Sequence, residues 1–323
     1  MKASYLGLEL SGPVIVSSSP YTSDMRQIEL CARHGAGAVV LKSIFEEQIL
    51  QHAAALSDVS DSVYGDAEFY LFRYLGDDYK SRFLHLIGEA KEVLPVIASI
   101  NCVAGSDEWI DYAQQMAGAG ASAIELNIFL QPTDRHASTQ EIEHAYTQIA
   151  GRVAHAVQVP VSVKMPMRLT NVLAAGDALH GCGVRGLVLF NRFFEPDVDI
   201  ERMDFVESSP YSDASEIRNV LRTTALCSAE LPQLDLSVST GVHDGAAVVK
   251  ALLCGARAAQ VCTAIHLHGF EVIGEMNRFV DEWAARHGFA SIEDFRGRMN
   301  FRNSDSPLFQ RVQYMKYFPS FAR

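Results

Sequence analysis

Short apolar runs alternate with longer stretches of helical period along almost the whole chain. The runs are Pro13–Val16, Ala38–Leu41, Val96–Ile100, Ala123–Leu126, Val161–Val163, Gly186–Phe190, Leu236–Val238 and Ala258–Cys262. Each is continuous rather than alternating, the pattern of a strand buried on both faces of a parallel sheet. Between them, apolar positions recur at helical spacing and predict helices over Met25–His34, Ser81–Glu92, Trp109–Ala117, Thr139–Val157, Asn171–His180 and Ala214–Ala229. A further helix opens at Asp244 and closes at Cys254-Gly255. Asp24 and Asp107 stand where helix starts want a capping carboxylate. Gly35-Ala36-Gly37, Gly118-Ala119-Gly120 and Gly181-Cys182-Gly183 punctuate helix ends.

Eight strands in strict alternation with helices predict an α/β fold of the TIM (β/α)8 barrel type. An open dinucleotide-binding sheet would want GxGxxG after its first strand, where this chain has Ser17-Ser18-Ser19-Pro20. Two stretches break the rhythm, residues 45–80 (with a helix expected near Glu68–Tyr74) and 192–212. Both read as irregular excursions, the kind of segment that serves a site. The tail 298–323 is basic and aromatic and is expected to pack on the barrel or on a partner subunit, making a homodimer possible. No pattern demands a second domain, so one barrel domain is expected over 1–323.

Composition narrows the function. A net charge of −12 argues against a general nucleic-acid or anionic-membrane surface. No apolar run approaches the ~20 residues that cross a bilayer, and the N-terminal stretch lacks an apolar leader core, so a cytoplasmic protein is expected. The six cysteines, Cys31, Cys102, Cys182, Cys227, Cys254 and Cys262, show no metal-type spacing and read as buried free thiols. His266 and His268 lie together beyond the last strand without a third ligand, and no metal site is expected.

Barrel chemistry sits at the C-terminal ends of the strands. Those ends deliver Ser17 and Ser18, Lys42 and Ser43, Asn101, Asn127, Lys164, Asn191, Thr240 and Gly241, and Cys262 and Thr263. Small residues after the last two strands can offer backbone N–H groups to a phosphate. Lysines can stabilise negative charge on an electron-accepting ring, and amides can bind its carbonyl and imide edge. Cation, amides and phosphate cradle together fit flavin mononucleotide (FMN), and with it redox chemistry on a small-molecule substrate.

With these residues the chain resembles the dihydroorotate dehydrogenase family, FMN-dependent barrels of pyrimidine synthesis, especially its soluble branch. PVIVSSSP, VVLKSIFEE, IELN, VSVKMP, LVLFN, STGVHDGAAVVKALLCGARAAQVCTA and SIEDFRGRMN carry the likeness, in order, over nearly the whole chain. The resemblance implies Ser17 and Ser18 beneath the flavin and Lys42 and Lys164 at its ring. It implies Asn127 and Asn191 facing ring and substrate, and Thr240-Gly241 with Cys262-Thr263 at the phosphate.

The chain also departs from the family. Family members carry a Cys or Ser base in a loop of the form NxSCPN. Here residues 127–132 read NIFLQP, with Leu130 at the base position. Leucine accepts no proton, so Asp134, His136 and Ser138 become the candidate bases. The family's NSxGxxN segment is replaced by DSVYGDAEFY (61–70), and Arg192 follows Asn191 where a serine is usual. Thr240 occupies a position that is usually glycine. The resemblance thus points to the dihydroorotate dehydrogenase-like subgroup, with the flavin half kept and the substrate half rewritten. Three functions follow as expectations: oxidation of dihydroorotate to orotate, FMN chemistry on another substrate with Arg192 gripping it, or a non-catalytic barrel serving as a scaffold. An NAD-linked electron-transfer subunit would need a separate chain, since no CxxC-type iron–sulfur site is present.

Overall fold

The computed structural model describes residues 1–45, 80–102, 107–130, 133–193, 196–207, 209–304 and 309–310. Eight parallel strands form the barrel: β1 (Val14–Val16), β2 (Ala38–Val40), β3 (Val96–Cys102), β4 (Ala123–Ile128), β5 (Val161–Pro166), β6 (Gly186–Asn191), β7 (Asp235–Ser239) and β8 (Ala258–Val261), and a short ninth strand, Ile44–Phe45, pairs with the end of β3 in the same sheet. Each of the eight pairs with its sequence neighbours, and β8 returns to β1 through Ala259↔Val14 and Val261↔Val16, which closes the barrel. The expected TIM barrel is therefore the observed fold.

Helices surround the strands: α1 (Met25–Arg33), α2 (80–90), α3 (Asp107–Ala119), α4 (Thr139–Ala156), α5 (Val172–Gly181), α6 (Ile217–Glu230), α7 (Gly245–Leu253), α8 (Thr263–His268) and α9 (Glu271–Arg286). Their starts are chemically capped. Asp24 Oδ1 accepts from Gln27 N at 3.0 Å, and Asp244 Oδ1 accepts from Ala247 N at 2.7 Å. After α7 the chain turns at Gly255, whose φ of +109° and close approach to Ser228 leave no room for a side chain.

Strand pleat divides the core in two. Outward residues such as Val39, Ala98, Ile124, Val163 and Val238 pack against the helices in one large apolar cluster. Inward residues Ile15, Ala38, Val40, Ile97, Ala123 and Ala258 form a second cluster with Tyr5, Leu6 and Leu10. Those last three belong to an N-terminal antiparallel hairpin, Ala3–Tyr5 with Leu8–Leu10, which plugs the end of the barrel opposite the site. The apolar–polar pattern did not anticipate this hairpin, because each arm is only three residues long.

One expectation is corrected. The excursion over 192–212 is not irregular throughout, because Pro196–Asp199 pairs with Asp204–Glu207 as an antiparallel hairpin. It leaves Ile200, Met203 and Phe205 largely exposed. The start of the tail docks on the barrel, where Met299 N donates to Leu253 O and Phe301 N to Ala225 O. The helix expected near Glu68–Tyr74, the segment 61–70, and the tail beyond residue 310 lie outside the described residues. Among the described residues, no helix is long and apolar enough to cross a membrane.

Candidate functional site

Period-two alternation places Lys42, Asn101, Asn127 and Lys164 on inward-facing positions near the strand ends. Register sets three of them side by side: Asn101 opposes Asn127, and Asn127 opposes Lys164. Asn191, at the end of β6, donates from Nδ2 to Asn127 Oδ1 at 2.9 Å. The amides thus orient one another, leaving the Asn191 carbonyl oxygen and the Asn127 amide N–H groups as further bonding positions.

A cleft opens at this mouth. Its lining brings together Ser17, Ser18, Lys164, Asn191, Arg192, Thr240, Gly241, Cys262 and Thr263 from the sequence-derived set, and adds Ser212, Ser239 and Gln260. Lys42 does not line it. It lines an adjacent cavity with Met25, Arg82 and Phe83, although its charge, like that of Lys164, still reaches the Cys262 thiol. Burial nevertheless raises that thiol above its ordinary range, so Cys262 is a neutral group here. Ser43 lies just behind the mouth, its backbone N donating to Ser18 Oγ at 2.9 Å and its hydroxyl 2.8 Å from that of Ser99.

The end of the cleft after β7 is the turn that the sequence reading expects to cradle a phosphate. Thr240 and Gly241 both take left-handed backbone angles, φ +81° and +75°. A side chain at Gly241 would meet Ile217 N at 2.3 Å, so only glycine fits against α6. Thr240 is β-branched and disfavours this conformation, and its hydroxyl donates to Phe190 O at 3.3 Å. Facing the cradle, Ser212 lies 2.9 Å from His243 Nε2 and 3.2 Å from Thr263 Oγ1. Neither Ser212 nor His243 was expected from the sequence. Ser212 closes the remodelled excursion, and no strand-end rule reaches it.

The substrate-side candidates sit differently. Ser138 is the N-cap of α4, accepting from Glu141 N at 3.2 Å and donating to Glu141 Oε2 at 2.8 Å. The Ser138 backbone N–H, donating to Glu141 Oε2 at 2.7 Å, and then the Ser138 hydroxyl lower the Glu141 carboxyl below its ordinary range. Asp134 accepts from His136 N at 2.9 Å, and His136 Nε2 accepts from Arg135 Nε at 3.1 Å, all in exposed chain. None of the three lines the cleft. Leu130 packs against the apolar core. Phe129 instead meets Phe193 edge to face, with ring centroids 5.1 Å apart. Arg192 pairs its Nε with Glu216 Oε2 at 3.1 Å and its Nη1 with Ser209 O at 3.2 Å. His266 is held by the Tyr21 hydroxyl at Nδ1, at 3.1 Å, and stacks on Tyr211 at 3.9 Å.

Beneath the cleft the barrel interior is polar. Ser99, Glu125, Ser162, Ser237 and Gln260 are 0–1% exposed, where barrels of this type usually bury branched apolar residues. Burial raises the Glu125 carboxyl above its ordinary range, opposed by the Lys164 charge and by the Gln260 hydrogen bond. Sequence reading passed over Glu125 and Gln260 as parts of apolar runs. The available signal was the two-residue period, which aligns Glu125 with Asn127 and Gln260 with Cys262.

No family model matches the chain. Individual proteins do. The catalytic subunit of dihydroorotate dehydrogenase B (NAD(+)) from Pyrococcus abyssi is 24% identical over 308 residues, covering 92% of this chain and 98% of that protein. Chloroplastic dihydropyrimidine dehydrogenase (NADP(+)) from Arabidopsis thaliana is 20% identical over 318 residues, 90% of this chain and 75% of that protein. A putative dihydroorotate dehydrogenase A (fumarate) from Aeropyrum pernix is 28% identical over 217 residues, 63% of this chain.

Proposed function

We propose that this chain, a relative of the dihydroorotate dehydrogenases, is an oxidoreductase that binds FMN in the cleft at the barrel mouth and dehydrogenates a small molecule at a CH–CH bond. The observation that carries the reading is one cleft joining a cradle of backbone donors at Thr240-Gly241 to a buried cation, Lys164, and the amide of Asn191. That donor set fits FMN: the phosphate monoester wants N–H and hydroxyl donors, and the ring wants a cation and amides. Thr240, Gly241, Cys262 and Thr263 would hold the phosphate. Lys164, Asn127 and Asn191 would meet the ring, with Ser17 and Ser18 below. Bound there, FMN supplies an N5 that accepts a hydride from the substrate carbon.

The chain's own residues have separate tasks. Lys164, 8% exposed, is largely withdrawn from water, so its charge would be screened less by solvent at an electron-accepting ring than a surface lysine's. The Asn127–Asn191 bond holds both amides in one orientation, so binding need not order them.

A substrate other than dihydroorotate is the second reading, and a specific arrangement favours it. Leu130 is packed with the core. The group that accepts the substrate proton in relatives of this kind is therefore not supplied from position 130.

An absorption spectrum of the purified protein, before and after anaerobic addition of dihydroorotate, tests both readings. A flavin band that bleaches supports dihydroorotate as substrate. A band that persists with dihydroorotate and bleaches with another reduced small molecule supports the second reading. Colourless protein that takes up no FMN on titration overturns both and leaves a scaffold.

A further inference from the structure

We propose that Glu125 is the internal counter-charge of Lys164, a positioning residue that acts through Gln260 and Ser17. The part of this concerning flavin rests on the reading above; the charge pair itself does not. A hydrogen-bonded chain runs down the barrel axis. Lys164 Nζ donates to Ser17 Oγ at 3.3 Å, Ser17 Oγ to Gln260 Oε1 at 3.1 Å, and Gln260 Nε2 to Glu125 Oε2 at 2.7 Å. Every hydrogen points from the ammonium towards the carboxylate. The order leaves Gln260 only one amide orientation and commits the Ser17 proton downward.

Three facts make this more than packing. Glu125 is fully buried, and an isolated buried carboxylate is strongly unfavourable unless a cation or hydrogen bonds compensate it. The compensating cation is Lys164, and the burial-driven rise of the carboxyl is held back by that charge first and by Gln260 second. Among the described residues Glu125 Oε1 has no hydrogen-bond partner, so the side chain's bonding is spent on the chain toward Lys164.

The consequence concerns potential. A lysine with no counter-charge would pull strongly on electrons in a ring above it. A carboxylate at the far end of a polarised chain tempers that pull while holding the ammonium in place. Glu125 thereby sets how strongly the cleft stabilises a reduced, anionic flavin.

The first measurement needs no flavin. Thermal unfolding of the flavin-free protein at pH 8 is compared for Lys164→Met, Glu125→Gln and the double variant. Removing Lys164 alone strands the carboxylate, so the double variant is expected to be more stable than Lys164→Met. Additive losses overturn the pairing whatever the protein binds. The second measurement is the midpoint potential of the FMN-loaded protein. Glu125→Gln is expected to shift the equilibrium about tenfold toward reduced flavin, about 30 mV for a two-electron couple, and Glu125→Asp to restore it. In the Lys164→Met background the Glu125→Gln shift should largely vanish, and a full shift there overturns the proposal. Gln260→Met cuts the chain and keeps both charges, and should move the potential the same way by less. If Glu125→Gln does not fold, an unmoved potential in Gln260→Met overturns the proposal. Coupling in the flavin-free cycle with no FMN uptake upholds the pair and removes the flavin reading alone.

Discussion

At the residue scale the cleft is built from side chains that each have one physical job. Gly241 exists in its conformation because any Cβ would strike Ile217, and that contact locks the cradle to α6. Ser212 and His243 stand opposite, and their placement predicts a role at an anion. Ser212→Ala and His243→Asn should each weaken FMN binding roughly ten- to hundredfold, the range expected when a hydrogen bond to a charged group is lost. Riboflavin, which lacks the phosphate, should bind both variants about as well as it binds the parent. Fluorescence titration with the two ligands reads this directly, and an equal loss for both would remove the phosphate assignment. Legibility at this scale was uneven. Lys164, Asn127 and Asn191 were readable because a polar residue ending an apolar run has nowhere to go but the mouth. Glu125 was not, because one acidic residue inside such a run is hidden until the strand's inward face is known.

At the element scale the decisive feature is the loop from Phe129 to Ser138. A serine after that loop could be read as a proton acceptor or as a helix cap. The reciprocal bonds with Glu141 give it the second task. Ser138→Ala is therefore expected to cost about 1 kcal/mol of stability and to leave the rate of flavin reduction unchanged. Denaturant unfolding alongside stopped-flow reduction checks both halves. Lost reduction with intact stability would return Ser138 to the chemistry. The hairpin over 196–207 shows the complementary failure of reading. Its arms, Pro196–Asp199 and Asp204–Glu207, pair in register, yet they were expected to be irregular. Exposure of both faces removes the apolar run on which the strand expectation for the barrel relied.

At the scale of the whole molecule, burial governs the thiols. Cys31 and Cys227 are pushed up to about 12 and Cys254 to about 11 from a usual value of 9.0, in each case by withdrawal from water. A raised thiol value means that the native state resists ionisation that the unfolded chain accepts. This stabilising contribution is thus fully present below the unfolded value and is lost as the pH rises from 9 toward 12. Unfolding free energy should accordingly fall across that window, and replacing Cys31 and Cys227 by alanine should flatten the fall. In native protein at pH 8, these three thiols should resist a thiol-specific reagent until the barrel unfolds, which mass mapping of the modified cysteines would show. Prompt modification of Cys31 or Cys227 in folded protein would contradict the closed core.

What the sequence determined by itself was the barrel and the membership of most of its mouth. Local physics suffices for that: strand and helix periods, capping residues and the rule that chemistry gathers where parallel strands end. What only the tertiary structure decided was which of those residues share one space. Lys42 and Lys164 are equivalent on paper, yet one lines the cleft above Ser17 and the other lines its neighbour. Ser212, Gln260 and Glu125 carry no local signal, because their partners are 51, 243 and 135 residues away along the chain. Closure of the barrel is what brings them together, and separation along the sequence holds no record of that meeting.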